Sequence, residues 1–188
     1  MTNHWKDIKS TDVILVMGAN PAENHPCGFK WAVEARDKRR AKLVTIDPRF
    51  TRTAAVSDMF MQIRPGTDIA VLGGFVNYIL EHELHHEDYV KLHTNAPFVV
   101  GTGFGFEDGL FSGFDEATNS YDKKAWDYER GADGYVVRDF TLEHPRSVFQ
   151  LLKKHFNRYT PEVGAKSAGC TAEKCGAAAK VICSTGTA

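Results

Sequence analysis

Three short segments carry residues whose types and spacing suit the holding of a nucleotide-bearing group. The first is Gly18-Ala19-Asn20-Pro21-Ala22-Glu23. Only Gly18 offers close backbone approach there, Pro21 removes a backbone donor, and the Asn20 amide both donates and accepts. The segment lacks the Gly-x-Gly-x-x-Gly run that lets a backbone approach a pyrophosphate. It fits a polar ligand edge held by side chain and backbone together, or a plain strand-to-helix turn with an Asn cap. The second segment is Asp47-Pro48-Arg49. An acid ending a second strand accepts hydrogen bonds from ribose hydroxyls, and an arginine two residues on pairs with phosphate in a bidentate way. The alternative is an Asp–Pro turn with a local Asp–Arg contact. The third is Gly66-Thr67-Asp68. Asp68 either caps a helix or accepts two hydrogen bonds from the N1–H and exocyclic amine edge of a guanine. If it faces a ligand, Thr67 must do the capping. Each segment lies past the end of a successive predicted strand, and the three together favour a nucleotide-bearing cofactor.

Two other constellations carry less. His82-Glu83-Leu84-His85-His86 formally matches His-Glu-x-x-His, in which two histidines on one helix face bind zinc and the glutamate is the base. It falls at the polar end of a predicted helix, where histidines face solvent, and His93 is one place off for a third ligand. Cys170-x4-Cys175 has irregular spacing in Ala/Gly-rich sequence and reads as buried or incidental thiols.

The elements that must position the three segments follow from hydrophobic pattern. Asp12–Met17 is a short apolar run suited to a buried parallel strand. Gly28–Arg39 reads as a helix with a basic end, which suits the negative end of its dipole. Lys42–Ile46 is a second strand closed by Pro48, Thr51–Ala55 a short turn or helix, and Met59–Ile63 a third strand. A helix from Ile69 to about Glu83 has Val71, Leu72, Phe75, Val76, Ile79 and Leu80 at three-and-four spacing. This order predicts a Rossmann-like half in an α/β fold with a parallel sheet. Residues 94–141 are rich in Gly, Asp and aromatics and read as a long insertion with a hairpin around Arg130–Val137. It packs either against something else or on its own domain. Pro145–Phe156 is helical, Thr160 caps a helix that has Pro161 at its first position, and residues 172–183 form one more. The expected division is a nucleotide-binding region over 1–93, the insertion over 94–141 and a helical continuation of the same domain over 142–188.

The chain has 188 residues and a net charge of −1 with both signs intermixed, so nothing argues for nucleic acid or an anionic membrane surface. No apolar run approaches the ~18–20 residues of a membrane span. The start carries no basic region followed by an apolar stretch, and no signal peptide is expected in this chain. The four cysteines do not form a disulfide framework. Both ends read as interior sequence, so an internal fragment is expected.

The chain resembles the major (alpha) subunits of selenocysteine-type respiratory formate dehydrogenases, within the molybdopterin oxidoreductase family. The likeness rests on Thr2-Asn3-His4-Trp5 with Asp7-Ile8, the run from Met17 to Pro26, Ile46-Asp47-Pro48-Arg49-Phe50-Thr51-Arg52-Thr53-Ala54 and Arg64-Pro65-Gly66-Thr67-Asp68. Further on come Phe106-Glu107-Asp108-Gly109-Leu110-Phe111, Tyr121-Asp122-Lys123 with Trp126, His144-Pro145-Arg146 and Arg158-Tyr159-Thr160-Pro161. It is nearly continuous to Glu162 and looser from Gly164 on.

The resemblance implies a bis-molybdopterin guanine dinucleotide carrying molybdenum or tungsten. Gly18, Ala19, Asn20 and Glu23 would form its first binding turn, Asp47, Pro48 and Arg49 the second loop, and Gly66, Thr67 and Asp68 the third. It also implies formate as substrate, a periplasmic parent enzyme, and the rest of the alpha subunit and an iron–sulfur electron-transfer subunit as partners. The family's iron–sulfur cysteines, metal-ligating selenocysteine or cysteine and adjacent histidine correspond to sequence before Met1, and a substrate-site arginine to sequence after Ala188. No catalytic or metal-ligating residue is therefore expected in this chain, which alone would not oxidise formate. The competing expectations are a nucleotide-binding module without redox activity and a zinc hydrolase using His82, Glu83 and His86.

Overall fold

The computed structural model describes residues 3–107 and 109–184. Thr2 and Asp108 of the segments quoted above, like Met1 and residues 185–188, lie outside the described residues. Three parallel strands, β1 (Val13–Met17), β2 (Lys42–Asp47) and β3 (Met59–Gln62), form a sheet in the order β1-β2-β3. Met17 lies opposite Ile46 and Asp47 opposite Gln62, so all three strands end at one edge of the sheet. The expected buried strand is β2 rather than β1. Leu43 through Asp47 are buried, whereas β1 is only partly covered and Leu15 is 39% exposed. The reason is position: β2 has a neighbour on both sides and β1 on one. Below Leu43, the Asp58 carboxylate accepts the Leu43 N–H at 2.8 Å and pairs with Arg36 at 3.2 Å. Burial pushes that carboxyl up, but the Leu43 amide and the Arg36 guanidinium outweigh burial and hold it below its ordinary range.

The helices of this unit are α1 (Pro21–Asn24), α2 (Pro26–Arg39), α3 (Arg52–Ala55) and α4 (Asp68–Glu81). α5 (Glu87–His93) and α6 (Val148–Phe156) follow in a second unit, and α7 (Pro161–Ala168) and α8 (Ala172–Cys183) return to the first. Val44 and Ile46 of β2 and Met61 of β3 pack with Val71 and Phe75 of α4 and with Ala168, Cys175, Ala178 and Ala179 of α7 and α8. Small residues let α4 and α7 approach closely: a Cβ on Gly164 of α7 would stand 3.3 Å from Ala70 O of α4, and one on Gly73 2.7 Å from the Tyr159 ring that leads into α7. Thr160 caps α7 through the Val163 N–H with Pro161 in the first turn, as the sequence predicts.

The second compact unit spans His85–Asn157. Its ladders are short: β4 (Phe106–Glu107) with β5 (Leu110–Phe111), and β6 (Phe114–Asp115) with β7 (Ser120–Tyr121). The expected hairpin is present, with Arg130 opposite Val136 and the Gly131 N–H donating to Tyr135 O at 2.9 Å. The unit has its own aromatic cluster. Phe111 lies against Phe104, Phe106, Tyr121 and Trp126, with ring centroids between 4.8 and 6.3 Å apart. Arg146 ties the backbone together by donating to the carbonyls of Val100 (2.9 Å), Phe104 (3.1 Å) and Gly101.

Candidate functional site

Each of the three predicted segments follows the carboxyl end of one strand of the parallel sheet, the edge at which open α/β sheets hold ligands. After β1, Gly18 takes a left-handed φ of 63° and donates its N–H to Ile46 O at 2.9 Å. A Cβ there would meet nothing within 4 Å, so the space above this turn is open. Ala19 is exposed. Asn20 does not cap α1 with its side chain. Its carbonyl oxygen accepts from the Thr53 hydroxyl at 2.9 Å and the Thr53 N–H at 3.2 Å, and its amide donates to Glu23. The Thr53 hydroxyl in turn accepts the Ala22 N–H at 3.1 Å, and Glu23 pairs with Arg52 at 3.1 Å. The polar edge of Asn20 is therefore spent on holding the first turn to α3. Thr53, fully buried, and Arg52 are the partners that the sequence alone does not single out as site residues.

After β2, Asp47 is buried and one carboxylate oxygen accepts the Arg49 N–H at 2.8 Å. The local Asp–Arg contact thus runs through the arginine backbone, not its guanidinium. Pro48 O accepts from the Gln62 side chain at 2.9 Å, joining the second loop to β3. The Arg49 side chain is exposed and has no ion-pair partner among the described residues. Beside it, Phe50 is 63% exposed and packs edge-on to Phe60.

After β3, Gly66 has φ 79° and again open space where a Cβ would lie. Thr67 occupies the cap position of α4 without capping it by side chain; its hydroxyl donates to Arg64 O at 2.7 Å. Asp68 stands exposed in the first turn of α4, where its charge suits the positive end of the helix. Arg64 anchors this loop to the end of α7: its N–H donates to Ala168 O at 2.7 Å and its guanidinium to Lys166 O at 3.3 Å.

The zinc arrangement is not formed. His-Glu-x-x-His needs one continuous helix, but α4 ends at Glu81 and Glu83 turns left-handed at φ 55°. His82 bonds Tyr78 O at 2.9 Å, while His86 accepts the Tyr89 N–H at 3.1 Å as the cap of α5. Among the described residues no group of three His, Cys, Asp or Glu is placed to hold a metal ion. No helix among them is long and apolar enough to cross a membrane.

The sequence profile of the molybdopterin oxidoreductase family matches residues 1–183. The chain belongs to the molybdopterin oxidoreductase family. Within it, the chain is 55% identical over 159 residues to the formate dehydrogenase subunit alpha of Megalodesulfovibrio gigas, an alignment covering 85% of this chain and 16% of the relative. It is 48% identical over 186 residues to formate dehydrogenase 2 subunit alpha (cytochrome c-553) of Nitratidesulfovibrio vulgaris, covering 99% of this chain and 18% of that one. The chain thus spans less than a fifth of the length of these relatives. Among solved structures, acetylene hydratase from Pelobacter acetylenicus superposes with a TM-score of 0.54 at 20% identity, over 94% of this chain and 17% of that one. That likeness concerns the fold. As a member of this family the chain is expected to meet a molybdopterin cofactor, and the residues past β1, β2 and β3 are compatible with one. Gly18 and Gly66 have open space where a Cβ would lie, and among the described residues the exposed Arg49 guanidinium has no ion-pair partner.

Proposed function

We propose that this chain is a piece of the catalytic subunit of a formate dehydrogenase and forms part of the cradle of a molybdopterin guanine dinucleotide. The observation that carries this reading is the common location of the three loops beyond the carboxyl ends of adjacent parallel strands. Asp47 has one carboxylate oxygen engaged by Arg49 N–H and presents the other to ribose hydroxyls. Arg49 offers a charged fork to phosphate. The cap position of α4 falls on Thr67 and not on Asp68, which leaves the Asp68 carboxylate to accept the guanine edge, and the N-terminal end of α4 receives its charge. Gly18 and Ala19 allow the ligand to approach the first turn, with Pro48, Gly66 and Thr67 shaping the second and third. Asn20 and Glu23 act by holding the first turn in place through Thr53 and Arg52.

When bound, the molybdenum- or tungsten-bearing cofactor supplies the two-electron redox chemistry of formate oxidation. The residues of this chain bind and orient it; none is assigned a proton or hydride transfer. Iron–sulfur clusters, an electron-transfer subunit and a periplasmic location belong to the whole enzyme in this reading; the likeness to formate dehydrogenase alpha subunits supports its reaction alone.

The reading is tested in the full-length subunit carrying this segment. Asp68→Ala and Arg49→Ala each lower the guanine nucleotide released on acid hydrolysis and the bound metal, per mole of folded protein. Guanine and metal content equal to the parent protein in both variants would remove the assignment.

A further inference from the structure

Two thiols at the α7–α8 corner are not accounted for by the cofactor reading. The Sγ atoms of Cys170 and Cys175 stand 3.1 Å apart, and the Cys175 Sγ lies 3.9 Å from Met61 Sδ. The two cysteines are differently placed. Cys170, just after the left-handed Gly169, is partly exposed, whereas Cys175 sits in the first turns of α8 within the apolar core. Cys27 and Cys183, the other two thiols, have no sulfur partner among the described residues. Two sulfurs already within contact of each other need only a small rotation to reach bonding distance, which is ~2 Å.

We propose that Cys170 and Cys175 form a reversible dithiol–disulfide couple, an oxidative modification site whose oxidant is a peroxide. Cys170, the less buried of the two, attacks a peroxide oxygen as thiolate; the O–O bond breaks, giving a sulfenic acid on Cys170 and releasing hydroxide. The Cys175 sulfur then attacks the Cys170 sulfur. The S–S bond forms, the S–O bond breaks, and the departing hydroxide leaves as water with the Cys175 proton. In sum, two thiols lose two electrons and two protons, and hydrogen peroxide is reduced to two waters. Burial, with the Cys170 sulfur beside it, pushes the Cys175 thiol up to about 12, so Cys175 does not make the first attack on the peroxide; its place in the second step rests on the 3.1 Å between the two sulfurs. Reduction by an external thiol reverses the bond.

The corner has a structural consequence. The Ala168 carbonyl, two residues before Cys170, accepts the Arg64 N–H at 2.7 Å, and the Lys166 and Ser167 carbonyls take the Arg64 guanidinium. Oxidation therefore fastens the corner from which the Arg64–Asp68 loop hangs. The couple itself stands whether or not that loop holds a cofactor.

The test uses the full chain, native, treated with hydrogen peroxide, quenched with an alkylating agent and digested with trypsin. Cleavage after Lys166, Lys174 and Lys180 puts the two cysteines on separate peptides, 167–174 and 175–180. The expected product is these two peptides joined, two hydrogens lighter than their sum, with loss of two of the four free thiols and recovery of all four on reduction. A Cys27→Ser/Cys183→Ser chain should give the same joined product. Three results overturn the proposal: Cys170 carried to sulfinic acid with Cys175 still alkylated, Cys170 joined to Cys27 or Cys183, or both thiols alkylated at a peroxide dose that oxidises the exposed Cys27.

Discussion

The two units are built on different principles. The sheet unit owes its shape to periodic apolar sequence: β2 is buried along Leu43–Asp47, and α4 places Val71, Phe75 and Leu80 on its covered face. The unit over His85–Asn157 has strands of two residues each, and its shape rests on turns, a ring cluster and one arginine that donates to three carbonyls. The first kind of unit spreads its stability over the side chains of regular elements; the second rests on a ring cluster, tight turns and the carbonyls gathered by Arg146. Each unit is therefore vulnerable at a different kind of residue.

The largest effect is expected in the sheet core. Ile46 is fully buried between Met61 and the helices, so Ile46→Ala removes packing and leaves a cavity. It should cost about 2–5 kcal/mol, read as a lower urea midpoint with an unchanged slope. Arg146→Leu is the matching blow to the other unit. It strips charged donors from the carbonyls of Val100, Gly101 and Phe104, for a loss of about 1.5–3 kcal/mol. Amide exchange should accelerate over residues 98–105 while β2 stays protected. Equal acceleration in both units would deny their separate character.

Much of the sheet unit is legible in the sequence because period and caps are local. The alternation of strands with α2 and α4, and the Thr160–Pro161 helix start, all follow from neighbouring residues. Edge status is not local: Asp12–Met17 reads as buried, but whether a strand has one neighbour or two depends on the sheet order. The candidate site is partly legible for the same reason. Gly18, Asp47 and Asp68 stand out as turn residues after strands, but the Asn20–Thr53 pairing joins residues 33 apart in sequence. His-Glu-x-x-His misleads because α4 ends at Glu81, before the motif begins, and the left-handed backbone at Glu83 turns the chain away. Thr67 fits the cap position, but its hydroxyl is engaged by Arg64 O.

A smaller effect sharpens the account of the first turn. Thr53→Val keeps the shape of the side chain and removes its hydroxyl, leaving Asn20 and the Ala22 N–H short of a partner. The cost should be about 1–3 kcal/mol, with Thr53→Ser restoring most of it. Thr53→Val should also lower cofactor retention in the full subunit. Normal retention with the expected loss of stability would confine Thr53 to folding.

The mildest expectation concerns acid. The Thr141 hydroxyl, with the His144 and Thr141 amides, holds the Asp139 carboxyl at about 2. A carboxyl lowered on folding stabilises fully above its unfolded value of roughly 4 and loses that contribution as pH falls toward about 2. Protection of the 139–144 turn should therefore fade over that window, and Asp139→Asn should make it less sensitive to pH there. Asp58 in the sheet unit acts in the same direction through the Leu43 amide and Arg36.

The most direct measurement is an experimental structure of the intact subunit with its cofactor. The account predicts a dinucleotide beyond the carboxyl ends of β1, β2 and β3, with Asp47 on ribose, Arg49 on phosphate and Asp68 on the guanine edge. A cofactor bound elsewhere, with these three loops touching only protein, would contradict it.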